Sequence, residues 1–133
     1  EQVMNIQRGG YILVDCSKPQ AIIIASGSEV DLAVRSAGVV SDRGIQVRVV
    51  SMPCAELFDA QDETYREKVL PSALRARVAV EASHVDYWRK YVGLDGRVVG
   101  MHNFGESAPG DDLMHTFGFT VDNVVQALLE VID

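Results

Sequence analysis

The sequence predicts a three-layer αβα domain, a mainly parallel sheet of about five strands with helices on both faces. Three observations carry this reading. Short β-branched runs alternate with stretches of helical period, the order that builds a parallel sheet from strand–helix–strand units. One run, Ala21-Ile22-Ile23-Ile24-Ala25, is apolar at every position, as a strand buried on both faces must be. The chain has 133 residues, 47% hydrophobic and 23% charged, an ordinary globular composition with enough length for one core.

The elements follow in order. Residues 1–8 are polar and weakly patterned and read as a linker or tail, so the domain is placed at 9–133. Tyr11 to Val14 is a short strand that ends before Lys18-Pro19. After Ala21–Ala25 comes the turn Ser26-Gly27-Ser28, and then a helix. Its apolar stripe is read from Val30, Ala33, Val34, Ala37 and Val40, and Gly44 closes it. Val47 to Ser51 is a strand stopped by Pro53, and Asp62 to Leu70 is a helix ended by Pro71. Arg77 to Glu81 is a buried strand. Ser83 and Asp86 can cap a short aromatic helix with Tyr87, Trp88 and Tyr91, and Arg97 to Met101 is the last strand. Pro109 opens a short helix through Phe117. Thr120 caps a final one, whose stripe is Val121, Val124, Val125, Leu128, Leu129 and Ile132.

Charge and cysteine content narrow the function classes. Twelve Lys and Arg against nineteen Asp and Glu leave a net charge of −7, unsuited to nucleic acid or an anionic membrane surface. No apolar run approaches the roughly 18 residues of a membrane span, and no secretory leader is visible. Two cysteines, Cys16 and Cys54, make no disulfide framework, which points to a reducing cytoplasm. The first residue is Glu1, so the chain is expected to be a piece of something longer.

In an open parallel sheet, ligands bind beyond the carboxyl ends of the strands. Ser26-Gly27-Ser28, Met52-Pro53-Cys54, Ala82-Ser83-His84 and His102-Asn103-Phe104 should meet there. Cys54 with His84 or His102, and Glu81 behind the imidazole, would make a nucleophile pair. Against it, the sequence shows no strand-to-helix elbow, and Pro53 points Cys54 into a loop. Ser26, Gly27 and Ser28, with His84 and His102 nearby, could form a crevice for a small anion at a helix start. Glu29 and Asp31 oppose that, because they already place negative charge in the first helical turn. No Cys or His cluster has zinc spacing, and His115 has no second ligand at i+4. Gly110-Asp111-Asp112 falls at a helix start, where acidic residues complement the dipole. No complete catalytic, cofactor or metal site is assembled.

A longer set of motifs then stands out. Ile23 to Val30, Val49 to Pro53, Tyr65 to Pro71, Val78 to Ala82, Phe104-Gly105-Glu106-Ser107-Ala108-Pro109 and Phe117 to Val125 occur in this order. Together they closely resemble the C-terminal domain of bacterial-type transketolase, from about Gly9 to the end of the chain.

The resemblance implies a cytoplasmic homodimer that uses thiamine diphosphate and Mg²⁺. Such an enzyme moves a two-carbon ketol unit from a ketose phosphate to an aldose phosphate in the pentose phosphate pathway or carbon fixation. It also implies that cofactor, metal and sugar phosphates are handled by other domains, so this part is structural or regulatory and inactive alone. The Gly-Asp-Gly signature with its distant asparagines does not occur in the chain. An interface with the remaining domains or the second subunit is expected at Tyr87, Trp88, Phe104 and Pro109. The alternative is a stand-alone regulatory module that binds a small anion in the crevice above.

Overall fold

The computed structural model describes residues 7–27, 29–101 and 120–132. The described residues form a five-stranded sheet. Its strands are β1 (Tyr11–Val14), β2 (Ala21–Ala25), β3 (Val47–Ser51), β4 (Arg77–His84) and β5 (Arg97–Met101), in spatial order β1-β3-β2-β4-β5. The helices are α1 (Glu29–Ser41), α2 (Ala55–Asp59), α3 (Glu63–Val69), α4 (Val85–Val92) and α5 (Val121–Ile132). β3, β2, β4 and β5 run parallel, and β1 adds an antiparallel edge to β3 with a register shift between Ile12 and Val14. This is the three-layer, mainly parallel architecture that the alternation of elements predicts.

β2 lies at the centre and is fully buried along its length. Because successive side chains of a strand point to opposite faces, its residues split between two cores. Ala21, Ile23 and Ala25 join Val47, Val49, Val78 and Val80 beneath α1 and α5. Ile22 and Ile24 join Val50, Ala79 and Met52 beneath α2, α3 and α4, which contribute Phe58, Val69, Trp88, Tyr91 and Val92.

Several elements differ from the sequence reading. The buried face of α1 is Glu29, Leu32, Ala33, Ser36, Ala37 and Val40, so the stripe is rotated from the predicted one, and Val34 is exposed. Ser36 can be buried because its hydroxyl donates to the Leu32 carbonyl at 2.8 Å within the helix. α2 was not predicted: a five-residue helix after Pro53 is too short to show a period. β4 continues through Ala82-Ser83-His84, where the sequence reading ended the strand, and α4 starts directly at Val85. The extra length is paired with β5, His84 opposite Met101. The expected helix after Pro109 lies outside the described residues. Two caps are in place. Asp62 Oδ1 accepts from the Tyr65 amide at 2.8 Å, and Thr120 Oγ1 accepts from the Asn123 amide at 3.2 Å.

Candidate functional site

The order of the sheet reverses at β2. From β2 the chain moves to β3 on one side, then crosses back to β4 on the other. The carboxyl ends of β2 and β4 therefore form the switch-point crevice where ligands of open α/β sheets bind. Ala25 is paired with Val80, and β4 runs on through His84, overhanging the end of β2. Of the predicted crevice residues, Ser26 and Gly27 lie where β2 ends, and His84 is the last residue of β4. Ser28 and His102 lie outside the described residues, as do Phe104 and Pro109.

The start of α1 is largely self-satisfied. The Glu29 amide donates to the Ser26 carbonyl at 3.2 Å and the Val30 amide to the Gly27 carbonyl at 3.3 Å. Glu29 is only 4% exposed, so its side chain is enclosed in the first helical turn. A carboxylate there complements the helix dipole and repels an incoming anion. Cys54 stands at the N-cap of α2, half-buried. Its amide donates to the Gly9 carbonyl at 2.9 Å and its carbonyl accepts from the Phe58 amide at 3.1 Å. Among the described residues, no group of three or more His, Cys, Asp or Glu could hold a metal.

Trp88, expected at an interface with other domains, is 3% exposed within this domain, in its own core, with its ring 5.5 Å from that of Tyr91. The face of α4 that carries Trp88, Tyr91 and Val92 turns onto the sheet, so this indole is already desolvated. Tyr87 lies on the same helix.

Sequence reasoning missed a charged cleft of about 310 Å³ on the α2–α4 side, lined among others by Asp59, Glu67, Arg77, Lys90 and Tyr91. Its charged groups are engaged by protein partners. Asp59 accepts from Lys90 Nζ at 2.7 Å and from the Tyr91 hydroxyl at 3.0 Å. The first bond holds the Lys90 ammonium above its ordinary range. Burial, then the bond to Asp59, pushes the Tyr91 phenol up to about 12. Glu67 accepts from the Ser72 amide at 2.7 Å and the Ser72 hydroxyl at 2.9 Å, which holds its carboxyl below the usual range. Arg77 spreads its guanidinium over four carbonyls. Nε donates to Leu74 at 2.9 Å, Nη1 to Tyr91 at 2.8 Å, and Nη2 to Leu70 at 3.2 Å and Pro71 at 2.6 Å. Partial burial lowers its pKa from the ordinary arginine value.

Arg48 does similar work from β3, with Nη1 reaching the Lys68 and Val69 carbonyls at 3.0 and 3.1 Å and Nε pairing with Asp15 at 3.0 Å. Ile22 is the register partner of both Arg48 and Arg77. The two arginines thus flank one residue of the central strand and together satisfy the carbonyls at the end of α3, which have no partner within the helix. No local signal announces this arrangement, because its donors and acceptors come from separate elements.

Fold and site together define a class: an α/β domain whose described charged groups are spent on its own architecture. The chain belongs to the transketolase-like TK C-terminal domain family, whose model matches residues 9–120. It is 57% identical over 133 residues to "Transketolase 1" of Escherichia coli (strain K12), a match that takes in 99% of this chain and 20% of that protein. With "Transketolase 2" of Pasteurella multocida (strain Pm70) the identity is 54%, over 99% of this chain and 20% of that protein. The solved transketolase of Leishmania mexicana superposes with a TM-score of 0.90 at 46% identity, over 98% of this chain and 19% of that one. The chain therefore spans 20% of the length of these curated relatives.

Proposed function

We propose that residues 9–133 are the third domain of a transketolase, and that the whole enzyme transfers a two-carbon ketol unit from a ketose phosphate to an aldose phosphate. In this reading thiamine diphosphate and Mg²⁺ are bound by the remaining domains, the enzyme is a cytoplasmic homodimer, and this domain is structural and inactive alone. The interface with the remaining domains or the second subunit that this reading implies is assigned to Tyr87, Phe104 and Pro109.

The observation that carries the reading is the match itself, high in identity yet limited to 20% of each relative. Arg77, the arginine of the charged cleft, already donates to four protein carbonyls, and no step through thiamine diphosphate is assigned to this chain. Among the described residues no helix is long and apolar enough to cross a membrane. The small-anion module is the weaker reading, because buried Glu29 sets a carboxylate in the first turn of the crevice helix.

The test is a calorimetric titration of this chain with thiamine diphosphate and Mg²⁺, paired with a ketol-transfer assay. The expected result is no heat of binding at micromolar cofactor and no turnover. Micromolar binding, or transfer by the chain alone, overturns the proposal.

A further inference from the structure

The chain enters the domain through Arg8, Gly9 and Gly10, just before β1. Three contacts hold this segment to the layer of α2 and α3. The Cys54 amide donates to the Gly9 carbonyl at 2.9 Å. The Tyr65 hydroxyl, on α3, donates to the Gly10 carbonyl at 2.7 Å. The Arg8 guanidinium lies over the Tyr65 ring, 4.5 Å from its centre, in cation–π geometry. Tyr65 itself is braced by Phe58 of α2, with ring centres 6.2 Å apart, edge to face.

The seat admits backbone and nothing more. Gly9 has φ +84°, and a Cβ there would collide with the Cys54 carbonyl oxygen and the Phe58 amide nitrogen. A Cβ on Gly10 would meet Met52 Sδ at 2.5 Å and Phe58 Cδ1 at 2.9 Å. A solvated tether needs neither such close approach nor two carbonyl partners drawn from different elements.

We propose that Arg8–Gly10 is a latch: it fixes the direction in which the preceding polypeptide leaves the domain, so that this polypeptide and the α2–α3 layer move as one body. Tyr65 is its positioning residue, acting through one hydroxyl and one ring face. The consequence for a whole transketolase rests on the reading above, in which further domains precede Arg8. There the orientation of the third domain would be set by these three contacts rather than by a flexible linker. The latch itself is a property of this chain and is tested on it.

The peptide bond after Arg8 is a trypsin site, and a protease needs that segment pulled free and extended. The rate of cleavage at Arg8–Gly9, followed by mass spectrometry, therefore reads the opening of the latch directly. A synthetic peptide of residues 3–14 sets the unrestrained rate. The intact chain is expected to be cut there at least about tenfold more slowly than the peptide. Tyr65→Phe, which deletes one hydrogen bond and keeps the ring, should raise the rate about three- to tenfold. Amide exchange of Ile23 and Val49 in the central strands should stay unchanged. Gly9→Ala should release the latch further, and if that variant does not fold, Tyr65→Phe still decides. Cleavage of the intact chain as fast as the peptide overturns the latch, and so does an unchanged rate in Tyr65→Phe. Cofactor titration and turnover test the family function separately, so the two proposals fail on different measurements.

Discussion

At the scale of residues, Arg77 is the most heavily committed of the described side chains. Its four carbonyl partners belong to the end of α3, the loop after it and the end of α4, so one guanidinium closes several backbone groups that otherwise need water. Arg77→Leu should therefore destabilise the domain by about 2–4 kcal/mol, seen as a lower urea midpoint. Arg77→Lys should recover little, because a single ammonium cannot fork across four acceptors. Tyr91 gives a pH signature. Its phenol is held up to about 12 in the fold, against 10.0 for the ordinary group. Below pH 10 both folded and unfolded chains keep the proton, and the stabilisation is fully present. Between about pH 10 and 12 the unfolded chain gives up the proton first, so stability falls as pH rises. Tyr91→Phe should flatten that decline in a pH series of denaturation curves. Part of the slope should persist, because burial shifts Tyr65 in the same direction. None of this was legible in the sequence. An arginine opening a strand and a tyrosine on an aromatic helix look ordinary until distant carbonyls and Asp59 are brought beside them.

At the scale of elements, legibility followed length and period. β2 announced itself by five buried residues in a row, and α5 by a stripe whose inner members Val124, Val125 and Leu128 are buried. α1 was legible as a helix but not in its rotation. Apolarity alone favoured Val34, whereas the helix buries Leu32 and Ser36, the latter made tolerable by its own bond to Leu32. α2 was invisible because five residues make barely more than one turn. The end of β4 was misplaced because Ala82-Ser83-His84 carries no strand pattern of its own and is drawn into the ladder by β5. The geometry of α1 also yields a prediction. Gly38 sits exposed in the helix interior, and an added Cβ there meets nothing within 4 Å. Gly38→Ala should therefore stabilise the domain by about 0.5–1 kcal/mol, a rise in Tm of roughly 1–6 °C in calorimetry. An unchanged or lowered Tm would mean that this face of α1 is constrained by something beyond helix propensity.

At the scale of the whole molecule, what separates a domain of a larger enzyme from a regulatory module is whether ligand energy is coupled to the fold. A ligand that binds only the folded chain stabilises it by RT ln(1 + [L]/Kd), about 2.7 kcal/mol at a hundredfold excess over Kd. For a domain of this size that is a Tm shift of roughly 6–16 °C, well above calorimetric error. The switch-point crevice is the place to expect such coupling, since β4 runs on past the end of β2 there and α1 starts at Glu29, shortly after β2 ends. Yet two amides of that turn already donate to Ser26 and Gly27, and the enclosed carboxylate of Glu29 sets the wrong charge for a phosphate. The charged cleft on the opposite side is likewise closed on itself through Asp59 and Arg77. Millimolar ketose and aldose phosphates should therefore leave the Tm of the chain unmoved. A rise of several degrees that disappears in Ser26→Ala would transfer the assignment to the anion-binding module, and with it the role of the crevice. An unmoved Tm in this chain, beside a clear shift in the whole transketolase proposed above, would place sugar phosphate recognition outside this chain.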